Sequence, residues 1–168
     1  MLRKIGIIAV LSLIVAAVAA VPALAVGPTE TTRSGGLHFV GQPDATATKT
    51  DPTQAVLTAT GEVAGAGGGG TATLSSTAEV TTGCINRGSQ GQQPSGLQRE
   101  DTTVTGSVPF TTRNGRGTFT VSTNPVTVDR DCPDGMTPVL VSVNFTDVLL
   151  TIEAQTGTIT ATFPDIDP

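Results

Sequence analysis

Tryptophan and tyrosine are absent, phenylalanine occurs five times, and the 168 residues hold one histidine and two cysteines. Each shortage removes a class of function. Sugar platforms and glycosidase clefts stack their ligands on aromatic rings, and five Phe offer little for that purpose. A hydrolytic triad would have to recruit His38, because nucleophilic catalysis needs a base within reach. His38 lies in "GLHFVG", inside a predicted first strand, and no G-x-S-x-G occurs. Metal ligation by Cys and His lacks its ligands, for there is no C-x-x-C and no second His. Neither an enzyme nor a cofactor is expected.

Positive charge is also scarce, with nine Lys+Arg against 14 Asp+Glu. Two of the nine, Arg3 and Lys4, open the chain and precede the uncharged stretch Ile5 to Val21. Pro22-Ala23-Leu24-Ala25 follows, with small residues at the two positions a signal peptidase reads. This basic, apolar, A-x-A order predicts a secretory signal over residues 1–25, cleaved after Ala25. The alternative is a retained anchor, since 17 uncharged residues are marginally long enough to span a bilayer. Cleavage leaves 143 residues with seven cations and 14 anions, a net charge of −7. Such a surface repels nucleic acid and anionic lipid, so neither is an expected partner. The product is expected outside the cytoplasm, secreted or held at the cell surface, as a monomer.

Export also decides the reading of Cys84 and Cys132. An even count in an exported chain reads first as a structural disulfide. Closing a loop of about 50 residues would stabilise the fold by about 4 kcal/mol in the chain-entropy model.

What the mature chain has in abundance is Thr (30 residues), Gly (19) and Val, a composition suited to pleated, half-buried strands. From Ala72 the residues Ala72, Leu74, Ser76, Ala78, Val80, Thr82 and Cys84 share one parity, and Thr71, Thr73, Ser75, Thr77, Glu79 and Thr81 share the other. That alternation defines a strand with one buried face. Leu57/Ala59/Val63, Val104/Val108/Phe110, Phe119/Val121, Val139/Val141/Val143/Phe145, Val148/Leu150/Ile152 and Ile159/Ala161/Phe163 repeat the pattern. Parity switches near Thr146-Asp147, which predicts a bulge or tight connection. Asn114-Gly115 between two alternating runs predicts a hairpin turn. The expected fold is all-β, an antiparallel immunoglobulin-like sandwich of seven to eight short strands over residues 37–164. Residues 26–36 read as a flexible leader and 165–168 as a tail.

Within "GEVAGAGGGG", Gly65-x-Gly67-x-x-Gly70 matches the dinucleotide fingerprint as a bare pattern. That motif needs a strand before it and a helix after it. Alternating strands flank it on both sides here, so the glycines are expected to form a loose hairpin connection. "VDRDCPDGM" brings Asp129, Asp131 and Asp134 near Gly135 as calcium candidates. Counted from Asp129, however, the third acid falls at position 6 and Leu140 at position 12, which is not the EF-hand spacing. The long polar stretch Ile85 to Asp101 supplies a candidate binding loop, with Asn86, Arg87, Gln90, Gln92, Gln93, Arg99 and Glu100, held at its base by Cys84. Asn144-Phe145-Thr146 matches a glycosylation sequon inside a predicted strand.

Taken together, "LHFVGQP", "GEVAGAG", "CINRGSQGQQPSG", "GTFTVST" and "CPDGMTPVLVSVNFTDVLLTI" resemble a group of small secreted actinobacterial proteins without assigned function. Members carry a signal peptide, an HFVG-x-P start, a Cys-x-Asn-x-Gly segment and a later Cys-Pro-x-Gly. The resemblance spans most of residues 37–152 and implies secretion and a β fold. Many members have an extra cysteine pair near the positions of Ala45 and Leu57; its lack here points to a branch with one disulfide. A fainter similarity of composition to the secreted antitumour chromoprotein apoproteins is an analogy of fold alone. The expected function is a non-enzymatic binding or cell-envelope module, with a cell-wall or protein partner of unknown identity. Its contacts would come from the Ile85–Asp101 loop and the Asp129–Gly135 turn, brought together by the disulfide. The alternative is a carrier of an apolar small molecule in a cleft between the sheets.

Overall fold

The computed structural model describes residues 24–86 and 94–168. The predicted signal therefore lies outside the described residues except for Leu24 and Ala25, both exposed. Ten strands are present among the described residues: β1 (Glu30–Thr31), β2 (His38–Phe39), β3 (Asp44–Asp51), β4 (Gln54–Ala64), β5 (Gly69–Asn86), β6 (Ser95–Thr111), β7 (Arg116–Ser122), β8 (Val126–Thr127), β9 (Met136–Ala154) and β10 (Gly157–Thr162). All pairings are antiparallel. One sheet runs β1-β10-β9-β5-β6. In the other, β4 is central, with β2 and β3 along one edge and β7 and β8 along the other. No helix occurs among the described residues.

Where seven to eight short strands are expected, the ten are very unequal in length. Three have two residues, whereas β5, β6 and β9 have 18, 17 and 19. Bulges explain why the long ones read as separate pieces, since each shifts the buried parity within one continuous strand. Thr77 pairs with Thr146 but Ser75 pairs with Leu149, so Ser76 faces both Asp147 and Val148. Asp147 takes a φ of 52°, and the buried parity changes there as predicted. A second bulge at Val141, between Thr81↔Ser142 and Thr82↔Leu140, went unpredicted. It buries Leu140 and leaves Val139 and Val141 only half-buried.

The inward parity of β5 is buried from Ala72 through Val80, and Leu57, Ala59 and Val63 are fully buried on β4. Both sheets contribute to one core of Ala, Val, Leu and Ile, with four Phe among its buried members. Phe110 and Phe119 meet across the sheets with ring centroids 6.4 Å apart.

Two predicted hairpins are sheet crossings instead. Asn114 (φ 54°) and Gly115 (φ 77°) form the left-handed pair of a tight turn closed by Arg113 and Arg116. Beyond that bridge the strands part, β6 to one sheet and β7 to the other. The Gly65–Gly70 connection likewise carries the chain from β4 to β5 in the opposite sheet. Gly65 has a φ of 79°, and a Cβ there would collide with the Gly36 carbonyl, so glycine is required. Strand comes after it, and the nucleotide motif is absent in structural terms.

The leader and tail are also part of the fold. Val26 exchanges two backbone hydrogen bonds with Ala45, at 2.8 and 2.9 Å, and Thr29 and Thr32 donate to Thr162 and Thr160. Residues 26–36, expected to be flexible, thus strap one sheet to the other. Ile166 exchanges hydrogen bonds with Phe145 and is buried, so the sandwich extends past residue 164.

Candidate functional site

Disulfide pairing matches the expectation: Cys84 and Cys132 are bonded, with Cα atoms 5.9 Å apart. Cys84 lies two residues before the end of β5, where the buried parity of that strand terminates. The bond draws the 128–135 segment across this end of the sandwich. Three further ties hold this segment and the start of β9. Val128 N donates to Thr53 O at 3.0 Å, Leu140 N to Pro52 O at 2.8 Å, and Arg130 Nη1 to Thr82 O at 3.1 Å. Arg130 Nε is buried without an acceptor, a cost the covalent bond helps the loop to sustain.

Between this segment and the inner face of β6 lies a cleft of about 350 Å³. Its floor is Val80, Val104 and Val126, and its walls include Thr82, Gln98, Glu100, Asn124, Asp129 and Arg130. On the outer face of the same end of the sheet, Glu79, Thr81, Arg99, Asp101, Ser142 and Asn144 line an open groove of about 550 Å³. Glu79 and Asp101 stand opposite each other in register, and Asn144 Nδ2 donates to Glu79 Oε2 at 3.5 Å. Glu100 borders both cavities.

The predicted binding residues divide accordingly. Asn86 ends β5, exposed and opposite Met136; Arg99 lies in β6 opposite Thr81 and lines the outer groove. Arg87, Gln90, Gln92 and Gln93 lie outside the described residues. Ser95 to Asp101, expected as loop, is strand. Asp129 reaches the inner cleft, and Asp131 and Asp134 are exposed on the turn. Among the described residues no three His, Cys, Asp or Glu side chains gather as a metal site. His38 pairs with Ala64 at the edge of β4, its Nδ1 2.8 Å from Gly36 O.

Sequence reasoning passed over Thr82, Gln98, Asn124 and Arg130. One signal was available for two of them. Gln98 and Thr82 continue the inward parities of β6 and β5, so polar residues there mark where the core gives way to a cleft. No protein-family model, curated protein or solved structure matches this chain.

Proposed function

We propose that the protein is an exported, immunoglobulin-like β-sandwich that acts by binding rather than catalysis, with its contact surface at the disulfide end. A single observation carries this reading: the Cys84–Cys132 bond fixes a loop over the inner face of β6 and so builds the polar cleft around Glu100, Asp129 and Arg130. Binding residues are often set on connections held by a rigid sheet framework. The basic, apolar and A-x-A pattern of residues 1–25 and the disulfide both support export. The partner would be a molecule of the cell wall or a protein at the cell surface.

Photo-cross-linking in cultures of the producing cells tests the location. A benzophenone side chain at Gln98 or Asp129 should yield adducts, whereas one at Ser107, toward the far end of β6, should not. Equal labelling from all three positions, or none, would overturn the assignment.

A further inference from the structure

We infer that the free edge of β6 from Arg99 to Thr103 is a strand-addition site for an extended peptide carrying Lys or Arg at alternate positions. The inference rests on the binding-module reading and specifies how the partner enters. Among the described residues β6 is the last strand of its sheet and pairs only with β5. Part of its outer edge is closed: Asn124 N donates to Thr105 O at 2.8 Å, and Pro109 has no N–H to offer. That closure also fixes the direction of the backbone groups. Thr105 turns its carbonyl away from β5, and in an antiparallel pair outward-facing residues recur every second position. Arg99, Asp101 and Thr103 therefore present N–H and C=O to solvent, and Ser95 to Thr103 are all exposed. Among the described residues nothing pairs with the outer edge of this stretch.

Unpaired edges are usually blunted by charge, and Arg99-Glu100-Asp101 would do so against a second copy. In an antiparallel self-pairing centred on Glu100, Glu100 would face itself with Arg99 facing Asp101 on either side. Centred on Asp101, Asp101 would face itself with no opposite charge across from it, and in either register two chains of the same net charge would meet. A basic strand meets no such barrier. Cavities flank the edge on both faces, as strand addition requires for its alternating side chains. Inside, an added strand would meet Glu100 and Asp129, where the one cation among the described residues lining the cleft, Arg130, is already turned to the Thr82 carbonyl. Outside, it would meet Asp101 and Glu79 with Arg99. Among the described residues acids outnumber cations on both faces, which selects Lys or Arg side chains in the incoming strand.

A displayed library of random 12-residue peptides, panned on the mature protein, provides the test. Enriched peptides should alternate Lys or Arg with β-branched residues and slow amide exchange at Arg99, Asp101 and Thr103. Asp101→Pro removes an outward N–H together with the Asp101 carboxylate, whereas Thr103→Pro, of the same parity, removes the N–H and no charge. The melting temperature of each should stay within about 4 °C of the parent, while binding of those peptides falls at least tenfold. No enrichment, helical or acidic winners, or undiminished binding to the proline variants would overturn the proposal. So would failure of both variants to fold, since their N–H groups would then belong to the ladder. Cross-links from Gln98 together with a failed panning would leave the binding module standing and remove strand addition alone.

Discussion

Ser76 on β5 donates its hydroxyl to the Thr146 carbonyl of β9 at 2.7 Å, and it does so where the β9 bulge interrupts the ladder. Ser76 is 3% exposed, a polar residue among Leu74, Ala78 and Val148. The serine supplies the donor that the displaced backbone cannot. Ser76→Ala should therefore destabilise the protein by about 1–2 kcal/mol, since a part-buried carbonyl loses its partner. Asp147, at φ 52°, should tolerate glycine and gain up to about 1 kcal/mol from relief of the left-handed conformation. Urea unfolding of both variants checks the pair; a neutral Ser76→Ala would mean water reaches Thr146.

The crossing of β6 over β7 gives a sharper contrast. A Cβ on Gly106 would collide with the Ser122 carbonyl of the opposite sheet, whereas one on Gly68 would meet nothing within 4 Å. Gly106→Ala should cost about 3 kcal/mol or more, because neither backbone can move without opening the core. Gly68→Ala should stay within about 0.5 kcal/mol. Thermal melts of the two variants suffice to tell them apart.

Removing the disulfide through Cys84→Ser with Cys132→Ser should lower stability by about 3–4 kcal/mol, as expected for its 48-residue separation. The more informative outcome is local. Val128 and Leu140 remain tied to Thr53 and Pro52, so their amides should keep most of their protection against exchange. Arg130, left with an orphaned Nε and without the disulfide two residues on, should detach from Thr82. Hydrogen exchange by mass spectrometry reads both.

What the sequence disclosed depended on burial. Hydrophobic alternation reports which residues face a core, and it located the inward faces of β4, β5, β7 and β10 correctly. The Ser95–Asp101 part of β6 reads as loop because both of its faces are exposed and, Leu97 apart, without large apolar side chains. It is held extended by a ladder to β5, a long-range interaction with no signature in its own residues. Asn114-Gly115 dictates a turn but not which sheet each strand then joins, a choice made by the core contacts of Phe110 and Phe119. The disulfide-end cleft was legible only as two segments joined by cysteines. Arg130 looked like any charged loop residue.

The N-terminal strap makes a prediction about processing. A chain beginning at Val26 keeps both bonds to Ala45 and those from Thr29 and Thr32 to β10. One beginning at Ser34 loses all four. At about 1 kcal/mol net for each backbone hydrogen bond, the shorter form should be about 2–4 kcal/mol less stable. Comparative urea midpoints of the two forms test it, and equal stability would show the strap to be passive.

Asp51 links pH to the disulfide end. It closes β3 and accepts hydrogen bonds from Thr53 Oγ1 and Thr53 N, both at 2.7 Å. These bonds, the hydroxyl's first, hold the Asp51 carboxyl below its ordinary range. A depressed carboxylate stabilises the fold fully above the unfolded pKa and loses that contribution as pH falls through the folded value. The loss should appear at the acid end of the carboxylate range, not near neutrality. Pro52 and Thr53 in this turn accept the amides of Leu140 and Val128, which anchor the walls of the cleft. Acidification should therefore speed exchange at Val128 and Leu140, after correction for intrinsic rates, before it affects the core. Thr53→Val removes the hydroxyl and should raise the Asp51 pKa toward the ordinary value in a carboxyl NMR titration. An unchanged titration would mean that the backbone bond alone sets the shift.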